Sequence, residues 1–181
     1  MGVSSGGWAA LAEILPALPA DFPMPVVVVQ HLHPQQDDFF LGHLNDICAL
    51  RVKIADEKEL LRPGHVYFAP PNYHLLIEKD RTFSLSVDQR VNFSRPAIDV
   101  LFESGAEVYS SRLVGVILTG ANADGAHGLK QIKDGGGLAI VQDPATAQID
   151  YMPRAAMAAV AVDHVLPLTE IGPFLARLGR S

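Results

Sequence analysis

Apolar, β-rich runs alternate with helix-like segments along this chain, and that alternation restricts it to few folds. Val26 to Val29 and Leu113 to Leu118 read as buried strands, each followed by a turn and a helical stretch. Such a pattern belongs to a parallel sheet covered by helices. The expected fold class is therefore α/β: a doubly wound, mostly parallel sheet with helices on both faces. Further short strands are expected at Val52 to Ala55, His65 to Ala69, Leu138 to Val141 and Val162 to Leu166. Helices are expected at Trp8 to Leu15, Phe39 to Leu50, Pro96 to Ser104, Ala126 to Lys133, Pro153 to Val160 and Glu170 to Leu178. The Pro96 helix would start at its proline, with Ser94 or Arg95 near the cap. A β-hairpin is expected near 74–87, where His74 to Glu78 and Thr82 to Val87 flank Lys79-Asp80-Arg81.

A length of 181 residues suits a single domain over 1–181 with a sizeable core. No apolar run approaches the roughly 20 residues that span a bilayer, so no membrane insertion is expected. Lys plus Arg number 14 against 20 Asp plus Glu, a net charge of -6. That balance disfavours nucleic-acid binding, which draws on a positive surface. The single cysteine, Cys48, allows no internal disulfide and fits a reducing cytoplasm. It reads as a buried apolar residue rather than a nucleophile.

Gly2-Val3-Ser4-Ser5-Gly6-Gly7 fits G-x-S-x-G, in which glycines permit a sharp turn that exposes a serine at the head of a helix. Alone, the pattern more often marks a structural turn or an anion cradle than a nucleophile. His31 follows the Val26 to Val29 run, at the strand end where α/β sheets carry their sites. Asp124, in the Gly-rich loop after Leu118, could orient that histidine and stabilise its charged form. Ser4 as nucleophile, His31 as base and Asp124 as acid thus form one candidate set. The backbone at Ser5, Gly120 and Ala121 could supply an oxyanion hole. No metal or organic cofactor is expected.

Other histidines offer weaker alternatives. His31-Leu32-His33 matches the H-x-H of zinc amidohydrolases, but those need a barrel of about 250 residues, too long for this chain. His127 is a backup base, and His164 could complete the usual hydrolase order of serine, acid, histidine. His33, His65 and His74 read as surface or hydrogen-bonded residues. Arg95 reads as solvated or paired to a carboxylate. Only Met1 precedes Gly2, so the strand that should feed the serine turn is expected to be truncated or replaced.

At these residues the chain resembles the catalytic domain of the chemotaxis protein-glutamate methylesterases, the CheB family. The resemblance also covers Pro63-Gly64-His65-Val66-Tyr67-Phe68-Ala69-Pro70, Arg95-Pro96-Ala97-Ile98-Asp99-Val100-Leu101-Phe102, Gly115 to Gly120, Met152-Pro153-Arg154 and Ala161 to Leu168. It implies that Ser4 is the nucleophile, His31 the general base and Asp124 the orienting acid. The implied reaction is hydrolysis of glutamate methyl esters on chemoreceptor-like proteins in the cytoplasm; some members also deamidate receptor glutamines. The chain departs from the family in three ways: the apolar strand before the serine motif is missing, Ala121-Asn122 stands where Met-Gly is usual, and 181 residues leave no room for a receiver domain. Two rivals follow: an esterase for another substrate, or a non-catalytic interaction module that keeps the fold.

Overall fold

The computed structural model describes residues 1–31 and 37–180. Its strands are β1 (Gly2–Val3), β2 (Val26–Gln30), β3 (Arg51–Ile54), β4 (His65–Phe68), β5 (His74–Ile77), β6 (Phe83–Ser86), β7 (Val114–Ile117), β8 (Leu138–Gln142) and β9 (His164–Leu166). Six α-helices among the described residues connect them: α1 (Gly7–Ile14), α2 (Asp37–Ile47), α3 (Ile98–Tyr109), α4 (Ala126–Asp134), α5 (Tyr151–Ala159) and α6 (Leu168–Leu178). Seven strands form one sheet in the order β3-β4-β2-β1-β7-β8-β9. Every pairing in it is parallel. The remaining two strands pair as the antiparallel hairpin expected near 74–87.

Neighbouring residues on each strand serve opposite faces, because side chains alternate along a strand. Val28, Val66, Phe68, Val116 and Ile140 join one core with α1 and α6. Val29, Tyr67, Ile117, Ala139 and Val141 join a second core with α3, α4 and α5. Strands buried on both sides need apolar residues at successive positions, which is why the runs are continuous. Full burial of one Val, Leu, Ile or Phe contributes about 1.5–3 kcal/mol, so each core is held by many such terms.

The strand feeding Ser4 is two residues long, yet it lies mid-sheet. Gly2 pairs with Val29 on one side and Ile117 on the other, and Val3 pairs with Gln30. On one side of β1 the sheet runs through β2 and β4 to β3, and on the other through β7 and β8 to β9. The order therefore reverses at β1/β7, the place where open α/β sheets carry their sites.

Helix α3 begins at Ile98 rather than Pro96, and neither Ser94 nor Arg95 caps it. Ala97 is extended at the cap position, and the first N–H groups are satisfied from a distant loop, as described below. Arg95 pairs with no carboxylate among the described residues; its Nη1 donates to the carbonyls of Val87 at 2.7 Å and Asp88 at 2.9 Å. Helix α5 starts two residues before Pro153, placing the proline in its first turn, where the missing N–H costs nothing.

Candidate active site

The C-terminal ends of β1, β2 and β7 deliver Ser4, His31 and the Thr119 to Asp124 loop to one crevice. Backbone bonds hold Ser4 in place. Its N–H donates to Thr119 O at 3.0 Å, and its carbonyl accepts from Gly7 N at 2.9 Å and Gln30 Nε2 at 3.0 Å. Gly6 turns the chain from Ser4 into α1 with φ of 81°, the left-handed region that glycine tolerates without strain. The His31 N–H donates to Val3 O at 3.1 Å, tying the two strand ends together.

Three side chains expected from the sequence meet here. Ser4 Oγ lies 3.2 Å from His31 Nδ1, and His31 Nε2 lies 2.8 Å from Asp124 Oδ2. A carboxylate beside Nε2 keeps the proton on that nitrogen, leaving the Nδ1 lone pair to accept from the Ser4 hydroxyl. The His31 side chain is 12% exposed and that of Asp124 is fully buried.

Asp124 is held by more than His31. Its Oδ2 accepts the Ile98 N–H at 2.6 Å, and its Oδ1 accepts the Asp99 N–H at 3.1 Å and Asn92 Nδ2 at 2.8 Å. The acid thus caps helix α3, whose positive end favours a negative group. Burial alone would raise its carboxyl pKa, but the donors from His31, Ile98, Asn92 and Asp99 outweigh burial and hold it below the usual range. Asp99 behaves oppositely: burial pushes it up, despite bonds from Gly128 N and Asn92, and nearby Asp124 adds to the rise.

Two asparagines complete the surroundings of the acid. In the sequence Asn122 stands out only as part of a departure from the family pattern, and Asn92 carries no signal at all. Asn122 Oδ1 accepts the Asp124 N–H at 3.0 Å, which turns its Nδ2 toward His31 Nδ1 at 3.2 Å. Asn92 stands 32 positions from Asp124 and belongs to no motif. The same amide nitrogen also donates to Asp99 Oδ2 at 2.8 Å.

The three backbone groups expected to line an oxyanion hole do not fare alike. The Gly120 N–H does not serve that role, because it is spent on Ile149 O at 3.0 Å. What its position demands is closeness, since a Cβ there would lie 2.6 Å from Met152 Cε and 2.9 Å from Ser4 Cβ. The N–H groups of Ser5 and Ala121 have no acceptor among the described residues.

The alternative histidines are drawn elsewhere. His164 sits on the sheet's edge strand against Phe174, with β7 and β8 between it and Ser4. His127 pairs with Glu103 on the surface at 2.8 Å. His74 is buried and bonded to Gln89 O and Ala97 N, and His65 to Pro63 O. His33 lies outside the described residues. Among the described residues no group of three or more His, Cys, Asp or Glu could hold a metal ion. Cys48 is half-buried and burial pushes its thiol up to about 11, so it is no ready nucleophile. A cavity of about 330 Å³ lined by Phe22, Val26, Leu101 and Phe102 lies at the opposite end of the strands and contains none of these site residues.

The sequence profile of the family described as CheB methylesterase matches residues 1–175. The chain belongs to the CheB methylesterase family. A Leptospira interrogans protein provisionally named a protein-glutamate methylesterase/protein-glutamine glutaminase is 56% identical over 181 residues, covering 100% of this chain and 94% of that one. A Symbiobacterium thermophilum protein of the same name, without the qualifier, is 40% identical over 177 residues. The match covers 98% of this chain but only 49% of that protein. Among solved structures, the CheB methylesterase catalytic domain of Thermotoga maritima superposes with a TM-score of 0.94. It is 37% identical, and the match covers 98% of this chain and 95% of that domain. The doubly wound sheet expected from the sequence is thus the fold of this family. No helix among the described residues is long and apolar enough to cross a membrane.

Proposed function

We propose that this chain hydrolyses glutamate methyl esters on a methylated chemoreceptor-like protein in the cytoplasm. Ser4 is the nucleophile, His31 the general base and Asp124 the acid that orients it. The observation that carries this reading is the hydrogen-bonded run from Ser4 Oγ through His31 to a buried Asp124.

As Ser4 Oγ attacks the ester carbonyl, its proton passes to His31 Nδ1. The Asp124 carboxylate, on the far nitrogen, stabilises the imidazolium as it forms. The carbonyl oxygen becomes an oxyanion, for which the N–H groups of Ser5 and Ala121 are the available backbone donors. Collapse expels methoxide, which leaves as methanol with the proton from His31. Water then repeats the sequence on the acyl-Ser4 ester and releases the glutamate. Glutamine deamidation follows the same path with ammonia leaving.

The test is methanol release from a methylated chemoreceptor fragment, by the parent chain and by Ser4→Ala. The parent should turn over, and the variant should lose several orders of magnitude in kcat while retaining its circular dichroism. Equal rates for parent and variant would overturn the assignment.

A further inference from the structure

Residues 91–94 fold back on themselves beside the site. Val91 N–H donates to Ser94 O at 3.1 Å, and Ser94 N–H donates to Val91 O at 2.9 Å. Both central residues are left-handed, Asn92 with φ of 51° and Phe93 with φ of 63°. Two-residue turns of this kind favour Asn followed by Gly, because L side chains are crowded there. Asn92 suits its place and turns inward to Asp99 and Asp124. Phe93 does not suit its place. It is 95% exposed, so its ring contributes no packing to offset the backbone strain. Folding alone would favour glycine.

A second apolar group flanks the same edge. Ile149 and Tyr151 are exposed where the loop after β8 enters α5. That loop is tied to the site, because the Ile149 carbonyl takes the Gly120 N–H and the Gly120 carbonyl takes the Met152 N–H. A glutamate methyl ester is neutral, so it offers no charge to recognise. The chain's net charge of -6 gives no attraction toward an acidic protein either. Apolar contact with the protein around the ester needs no charge complementarity, and exposed aromatics are effective anchors in it.

We infer that Phe93 is a docking residue: it meets an apolar side chain of the methylated protein substrate, on a turn that Asn92 locks to the triad. The inference rests on the esterase reading above.

Steady-state rates of the parent, Phe93→Gly and Phe93→Leu on a methylated chemoreceptor fragment and on p-nitrophenyl acetate test it. Phe93→Gly should lower kcat/KM on the receptor about tenfold, through KM, with the small-ester rate unchanged and Tm unchanged or raised. Phe93→Leu should recover most of the loss. Unchanged receptor hydrolysis in Phe93→Gly would overturn the docking role. So would an equal loss on both substrates, which would mean that the turn acts only through Asn92. A parent active on the small ester and inactive on the receptor would also remove this partner. Inactivity of the parent on both substrates would instead refute the esterase reading, and the docking role with it.

Discussion

Asp124 and Ile98 are joined by the short bond that organises this site: the Ile98 N–H meets Asp124 Oδ2 at 2.6 Å. The same oxygen faces His31 Nε2 at 2.8 Å. One carboxylate oxygen therefore caps a helix and orients a base, so the packing of α3 and the placement of His31 are not independent.

Asp124→Asn should damage stability as well as activity. Four donors converge on two carboxylate oxygens, and an amide accepts at only one. Whichever way it turns, its NH₂ faces two donors. We expect a loss of about 2–3 kcal/mol by urea denaturation. In kcat we expect a loss of about 10⁴, the size seen when the acid of a serine protease triad becomes an amide. An Asp124→Asn variant as stable as the parent would contradict this geometry.

Acid should unfold the protein partly through the same carboxylate. A carboxyl whose folded pKa is depressed stabilises above the ordinary value of 3.8 and loses that contribution as pH falls through its own lower value. Asp99 has the opposite sign: with a raised folded pKa, its contribution is full at low pH and is lost as pH rises through that value. The urea midpoint should fall between about pH 5 and pH 3, less steeply in Asp124→Asn. The comparison of the two slopes is the measurement; equal slopes would exclude Asp124 as a source.

Asn92→Ala should act on two acids together. One nitrogen bonds Asp99 Oδ2 and Asp124 Oδ1, each at 2.8 Å. Without it, two buried carboxylates lose their shared donor. Chemical denaturation should register about 2 kcal/mol. A fall in kcat of about tenfold should accompany it as Asp124 loses one of its restraints.

Gly2→Ala should disturb catalysis from within the sheet. A Cβ at Gly2 would lie 2.4 Å from Ile98 Cγ2, and one at Gly125 would lie 2.6 Å from the same atom. Ile98 is seated in a hollow between two glycines, which lets α3 approach β1 closely. Filling it should cost about 1–3 kcal/mol and move the Ile98 N–H away from Asp124. Tm and kcat should therefore fall together; a fall in Tm alone would separate packing from orientation.

Much of the fold is legible in the sequence because its signals are local. Val26 to Val29 and Val114 to Ile117 announce doubly buried strands through their own composition. The hairpin at 74–87 is written in two short runs about a turn. The start of α3 is not legible, for the opposite reason. Pro96 is a local helix-start signal, whereas the group that caps this helix is 26 positions away at Asp124. Ser4 stands out through the G-x-S-x-G pattern, and His31 and Asp124 because each lies in a loop that follows a strand-like run. Gly120 stands out on the same ground as Asp124, yet its N–H is spent on Ile149, 29 positions along the chain.

By itself the sequence determined the residue types at each strand end, the alternation of strand and helix, and the turn that carries Ser4 into the head of α1. Those depend on neighbours within a few positions, whose backbone preferences and burial pattern act before the sheet is assembled. The tertiary structure decided which strands lie side by side, which backbone donors remain free and which asparagines reach Asp124. Bonds such as Ser4 to His31, His31 to Asp124 and Asn92 to Asp124 span 27, 93 and 32 positions. The first two exist only once the order β2-β1-β7 has brought three strand ends into one crevice, and the third needs the 91–94 turn packed beside it.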